Sequence, residues 1–267
     1  NGGLMLTWFT TGFDLLDERD QSLQAMMTEG EYEMMRAYRK TCIENPDIQR
    51  GCYCRVSHDG GLTWSEPRPT PCSSPHGPTV MNDGSLLYFG RAAKATEAWR
   101  STDEGKTWEF LGAVPVPEAW SMRNFFEPHA LQLPNGRIVG IIRFENTIPE
   151  QFEQYYALSM FSTYSDDGGK TWSMPVNLGY HGAPPHLMLH SSGALICSYG
   201  RRDDGTRWYD LSERALISWD NGETWAEDLT IFGDGPDWDL GYPATVELSD
   251  GSLLTAYYQK YQDESNG

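Results

Sequence analysis

The sequence predicts an all-β protein: a β-propeller of four-stranded antiparallel blades, present as about five consecutive blades or parts of blades. Two interleaved repeats predict it. The first is Ser-x-Asp-x-Gly-x-Thr-Trp, starting at Ser57, Ser101, Ser165 and Ser218. The second is a β run, a Gly turn and another β run: PTVMNDGSLLYFGR at 78–91, EPHALQLPNGRIVGIIR at 127–143, PPHLMLHSSGALICSYGR at 184–201 and YPATVELSDGSLLTAYY at 242–258. Self-similarity at such a period means stacked copies of one unit. Asn-Gly or Asp-Gly between apolar runs is a strong local signal for a hairpin.

The chain opens on NGGLMLTWF, a truncated hairpin lacking its leading strand. Residues 13–50 then break the rhythm. DERDQSLQAMMTEGEYEMMRAYRKT is rich in Glu, Met, Arg and Gln at helix-like spacing. It reads as a surface insertion within one blade, packing on the rim or over the mouth of the axis, or equally as a solvated helix with no role. Beyond it, each hairpin except the last is followed by a third run that ends in a box. Strand, turn, strand, strand, box, strand is therefore one blade. The hairpin at 242–258 has no third strand or box, so the ring is expected to be incomplete, its first blade and closing strands lying outside the chain. No Pro/Gly/Ser linker interrupts the repeats, which makes 1–267 a single propeller domain.

The box has a structural explanation. Ser and Asp side chains bond turn amides, Gly supplies the positive φ, and Trp packs in the apolar layer between blades. These motifs are fold staples. Composition narrows the partners: a net charge of −18 argues against nucleic acid or an anionic membrane. No apolar run is long enough to cross a bilayer, so membrane insertion is not expected. The five cysteines, Cys42, Cys52, Cys54, Cys72 and Cys197, lack zinc-type spacing and read as buried thiols.

The chemistry-bearing residues emerge when the hairpins are aligned on Asp83, Asn135, Ser192 and Asp250. Eight residues before these stand Pro75, Glu127, Pro184 and Tyr242; eight after stand Arg91, Arg143, Gly200 (followed by Arg201 and Arg202) and Tyr258. Positions equidistant from a hairpin turn face one another, so Glu127 is expected to pair with Arg143, and Tyr242 to stand at equal height two blades on. First strands line a propeller axis. A carboxylate, a phenol and several guanidinium groups thus converge at one mouth, with the box turns on the opposite face. The same residues also read as a cross-strand ion pair and an ordinary strand tyrosine.

Boxes, blade pattern and hairpins together resemble the sialidase (neuraminidase) family of Asp-box, or BNR-repeat, propellers. That resemblance implies a six-bladed fold and an exo-sialidase-like glycoside hydrolase that removes terminal sialic acid, or a related acidic sugar, from glycans with retention. It implies Tyr242 as nucleophile, Glu127 as its base, and no metal or other cofactor. Arg143 and an arginine from the next blade would bind the substrate carboxylate; the candidates are Arg214, Arg207, Arg201 and Arg202, with Arg214 favoured. The chemistry is coherent, because a neutral phenol avoids the repulsion that a carboxylate nucleophile would meet at an anionic sugar. The chain also departs from the family. Counting blades back from Glu127 places the family's first arginine and its aspartic acid before Asn1, with Asp47 as the alternative acid. Tyr258 and Gln259 stand where the family has a Glu supporting that first arginine. His186, Asp237 and Asp239 would furnish a modified sugar pocket. Two other readings stay open: a non-catalytic sugar-binding Asp-box propeller, and a propeller glycosidase acting on a different sugar.

Overall fold

The computed structural model describes residues 2–10, 28–44, 51–151, 155–202, 211–235, 237 and 239–260. They fall into two compact units, Asn1–Thr70 and Pro71–Gly267.

In the first unit, β1 (Leu4–Thr10), β2 (Gly51–Ser57) and β3 (Arg68–Pro69) form an antiparallel sheet in that order. The register sets Trp8 opposite Tyr53, and their rings stack with centroids 5.7 Å apart. The box at Ser57 turns β2 into β3. The helical spacing expected within 13–50 is realised in α1 (Glu29–Glu44); residues 11–27 and 45–50, Asp47 among them, lie outside the described residues. Thr28 and Glu31 cap its start reciprocally: Glu31 N donates to the Thr28 hydroxyl at 3.4 Å, and the Glu31 carboxylate accepts from the Thr28 amide at 2.9 Å.

The second unit repeats one pattern. The strands are β4 (Thr79–Val80), β5 (Leu86–Arg91), β6 (Thr96–Ser101) and β7 (Glu109–Ala113); β8 (Phe125–Gln132), β9 (Ile138–Glu145), β10 (Leu158–Ser165) and β11 (Val176–His181); β12 (Pro185–Leu189), β13 (Leu195–Arg201), β14 (Ser212–Ser218) and β15 (Ala226–Phe232); and the hairpin β16 (Leu240–Glu247) and β17 (Leu253–Gln259). Each set is an antiparallel meander whose strand order is its chain order. These are four blades in propeller arrangement, with the first strands β4, β8, β12 and β16 side by side.

Strand β9 shows how the sequence builds this. Ile138, Ile142 and Phe144 join a cluster with Leu87, Phe89 and Trp172 on one side, while Val139 and Ile141 join Leu187, Leu195 and Leu216 on the other. A run apolar at nearly every position buries both faces of its sheet between neighbouring blades. Gly140 is the exception because a Cβ there would lie 2.9 Å from the Phe89 ring.

Between the third and fourth strand of each four-stranded meander sits a box. Ser165 Oγ donates to Asp167 Oδ1 at 2.8 Å and accepts from Gly169 N at 2.9 Å. Asp167 accepts from the Thr171 amide at 2.9 Å and hydroxyl at 2.7 Å, and Trp172 Nε1 donates to the Gly169 carbonyl at 3.0 Å. The same Ser, Asp and Thr bonds recur around Asp59, Asp103 and Asp220. Trp172 and Trp225 pack between blades as the sequence predicts, with Trp172 4.6 Å from Phe89, but Trp64 in the first unit is 37 % exposed. In β10 the register puts Ser165 opposite Ile138 and Met160 opposite Arg143. Box and Arg143 therefore lie at opposite ends of the blade.

Candidate active site

The site is assembled where β8 and β16 begin. Tyr242 Oη donates to Glu127 Oε1 at 2.5 Å, although 115 residues separate the two in sequence. Arg143 Nη1 donates to Glu127 Oε2 at 2.5 Å and stands 3.4 Å from Tyr242 Oη. Its Nη2 donates to Glu145 Oε1 at 2.6 Å. Both oxygens of Glu127 are thus engaged, one by the phenol and one by the guanidinium. The structure brings together Glu127, Arg143 and Tyr242, the three residues singled out from the hairpin alignment.

The local backbone differs from the expected pairing. The register partner of Arg143 is Phe126, and the ladder shifts between Phe126 and Pro128, leaving Glu127 in a bulge. β16 does the same between Gly241 and Ala244, where Tyr242 bulges out. Glu127 has φ 29° and Tyr242 φ 52°, a region that costs an L-residue about 1–2 kcal/mol. Each precedes a proline, which disfavours the right-handed helical region for the residue before it. Bulges re-aim side chains next to active sites, and these two swing a carboxylate and a phenol toward one another from blades that are not adjacent.

Burial pushes the Tyr242 phenol up to about 12, helped by its hydrogen bond to Glu127 and the charge of that carboxylate, while Arg143 and Arg202 pull it down. The phenol is therefore neutral at physiological pH. Arg202 also lies 3.4 Å from Asp239 Oδ1, and Asp239 accepts from Tyr258 Oη at 2.5 Å. The Tyr258 ring lies 5.8 Å from that of Tyr242. Arg91, stacked 4.2 Å over Phe126, acts electrostatically on Glu127 and Glu145.

The remaining predicted arginines are placed differently. Arg214 Nε donates to Asp228 Oδ1 at 2.7 Å and its Nη1 to Thr230 at 2.9 Å, and Tyr199 Oη donates to the same Asp228 oxygen at 2.8 Å. That guanidinium is taken up by β15. Arg201 ends β13 opposite Ser212, and Arg207 lies outside the described residues. Asp239, named only as a pocket residue, comes into the cluster; Asp237 Oδ1 accepts from its amide at 2.9 Å. Arg91 and Tyr258 belong to the set that the hairpin alignment put at this mouth, whereas Glu145 was not put forward. Glu145 had a signal: it stands two residues after Arg143, on the same face of a strand.

Beneath the cluster lie three histidines from successive blades. His129 and His186 stack at 4.8 Å, and His76 stands edge-on to both at 5.2 and 4.8 Å. His129 Nδ1 accepts from Leu187 N at 2.8 Å and His186 Nδ1 from Thr245 N at 3.2 Å, so each clips its own first strand to the next. His186 is therefore part of this inter-blade clip. No group of His, Cys, Asp and Glu suited to a metal ion occurs among the described residues.

The model of the BNR/Asp-box repeat matches residues 55–66 and 163–174, two of the four turns that share this hydrogen-bond pattern. The chain is an Asp-box repeat propeller. Solved structures resemble it over most of its length. A protein of unknown function from Dyadobacter fermentans is 26% identical with a TM-score of 0.61, over 79% of this chain and 60% of that one. The NanB sialidase of Streptococcus pneumoniae is 16% identical with a TM-score of 0.60, over 78% and 32%. An α-L-arabinofuranosidase of Fusarium graminearum is 16% identical with a TM-score of 0.51, over 77% and 66%. The propeller spans less than two thirds of the length of each. Comparison with curated protein sequences gave no match.

Proposed function

We propose that this propeller carries the nucleophile–base half of a retaining, exo-sialidase-like glycoside hydrolase acting on a terminal sialic acid or a related acidic sugar, within a ring of six blades. The observation that carries this reading is the 2.5 Å hydrogen bond from Tyr242 Oη to Glu127 Oε1, with Arg143 bound to the second oxygen of the same carboxylate. Tyr242 Oη attacks the anomeric carbon while its proton passes to Glu127, and the bond to the leaving oxygen breaks as that oxygen takes a proton from solvent. Water then attacks the anomeric carbon and breaks the glycosyl–tyrosine bond, giving one proton back to solvent while Glu127 returns to the phenolate the proton it took. Arg143 and Arg202 stand beside the reacting phenol as guanidinium partners for the sugar carboxylate, to which their planar forks are matched.

A second reading rests on the same cluster. Glu127, Glu145 and Asp239 supply three carboxylates, and glycosidases of neutral sugars work with a pair. One of the similar structures is an arabinofuranosidase. Fluorogenic sialosides, uronides and arabinofuranosides, assayed side by side, separate the two. Mass spectrometry with fluorinated sugar traps shows which residue is glycosylated. Label on Tyr242 supports the first reading. Label on Glu127, Glu145 or Asp239 replaces it with the second.

A further inference from the structure

Glu213 on β14 is 1% exposed, and neither carboxyl oxygen has a hydrogen-bond partner among the described residues. Such a group remains inside a protein by staying neutral unless a cation lies close. Its register partner on β13 is Gly200, and a Cβ on Gly200 would lie 2.8 Å from Gly241 Cα. Glu213 therefore stands on the face of its sheet that is turned toward the start of β16, one residue before Tyr242. Its partner on β15 is the apolar Phe232. Arg214 and Asp228 pair with one another on the opposite face. Arg202 stands two residues beyond Gly200, the register partner of Glu213, and so on the same side of the sheet, and it lies 3.4 Å from Asp239; its charge bears on Glu213, Tyr242 and Tyr258. Burial raises the Glu213 carboxyl to about 8, with Arg202 opposing.

We propose that Glu213 is a positioning residue acting through Arg202: neutral, it leaves the Arg202 charge directed at the space beside Tyr242, and on ionising it draws that charge inward. Glu213 thereby sets the alkaline limit of anion affinity. The proposal deepens the acidic-sugar reading and rests on it for the identity of the anion. Linkage is reciprocal, so an anion held by Arg202 must also raise the pH at which Glu213 ionises.

The test begins without ligand. The Glu213 carboxyl carbon is followed by NMR in labelled protein against pH, its signal assigned by its loss in Glu213→Gln or, should that variant fail to fold, Glu213→Met. A midpoint near 8 is expected, and a higher one in Arg202→Met. A midpoint in the ordinary carboxylate range, or one indifferent to Arg202→Met, overturns the proposal. Calorimetry with N-acetylneuraminate should then show affinity falling about tenfold between pH 7 and 9.5 in the wild type, the equivalent of one unit of coupling, and staying level in Glu213→Gln. Equal pH dependence in the two proteins also overturns it. Absence of binding by both proteins at every pH sinks the acidic-sugar reading, while the ligand-free midpoints still decide whether Glu213 acts on Arg202.

Discussion

Wherever a box is present, Ser, Asp and Thr make the same bonds at that end of the sheet, around Asp59, Asp103, Asp167 and Asp220. At the other end the blades diverge: the positions eight residues before the turns are Pro75, Glu127, Pro184 and Tyr242. The box end is made of short-range bonds between short polar side chains and turn amides, and its positive φ values fall mainly on glycines such as Gly168 and Gly169. The other end places positive φ on Glu127 and Tyr242, which have side chains and pay for it in backbone strain. Repetition marks what every blade needs to fold, and departure from repetition marks what only this protein needs.

The largest effect is expected from Tyr242→Phe. It keeps the ring that faces Tyr258 and removes only the hydroxyl held by Glu127. Turnover of the cognate glycoside should fall at least ~10³-fold, since loss of a nucleophile costs more than loss of a supporting group. Glu127→Gln should cost about 10²- to 10⁴-fold, the range for a general base. The unfolding midpoint of either variant should stay close to wild type. A Tyr242→Phe protein that unfolds early but turns over normally when folded would reduce the tyrosine to packing, and the contrast between the two ends would lose its basis.

Acid separates the two ends in a second way. Burial holds His76 at about 3 and His186 at about 4, and drives His129 well below its ordinary value. Their folded values lie below that of the unfolded chain, so the unfolded state binds more protons and stability falls as pH drops from about 6.5 toward 4. Between pH 6.5 and 5 each histidine should cost roughly 1–2 kcal/mol. The box carboxylates, held at about 2 first by the Thr hydroxyls, contribute stability that is present above about 4 and lost only as pH falls toward 2. Urea midpoints measured from pH 7 to pH 3 should show the first loss near pH 6 and a second below 4. Replacing His186 with Gln should shrink the first step and leave the second. A single transition below pH 4 would show that the histidines carry no such load.

Much of this was legible in the sequence, and the unevenness has a physical cause. The boxes and hairpins are local, and their residue types fix the turns, so blade order and strand partners followed directly. The Glu127–Arg143–Tyr242 meeting was legible because the alignment put all three at one height. The bulges at Glu127 and Tyr242 were not, since a one-residue shift in a ladder leaves the hydrophobic alternation of the rest of the strand intact; the following prolines were the one hint. Arg202 rather than Arg214 beside Tyr242 was also hidden. Both are arginines near the ends of third-blade strands, and only the partner, Asp228 or Asp239, distinguishes them.

The smallest effect tests the box itself. Ser165 is 1% exposed, and its hydroxyl joins the Asp167 carboxylate to the Gly169 amide. Ser165→Ala removes the hydroxyl and leaves a buried amide without that acceptor, a change worth about 1–3 kcal/mol. The loss should appear in the urea midpoint, while the affinity for any ligand of the Tyr242 end is unchanged, because Ser165 lies at the Ile138 end of β10 and Arg143 faces Met160. Double substitution with Tyr242→Phe should be additive in stability, as for separated sites without shared partners. Coupling between them beyond about 0.5 kcal/mol would mean that the box end helps to shape the bulges. The division between a folding end and a chemical end would then have to be given up.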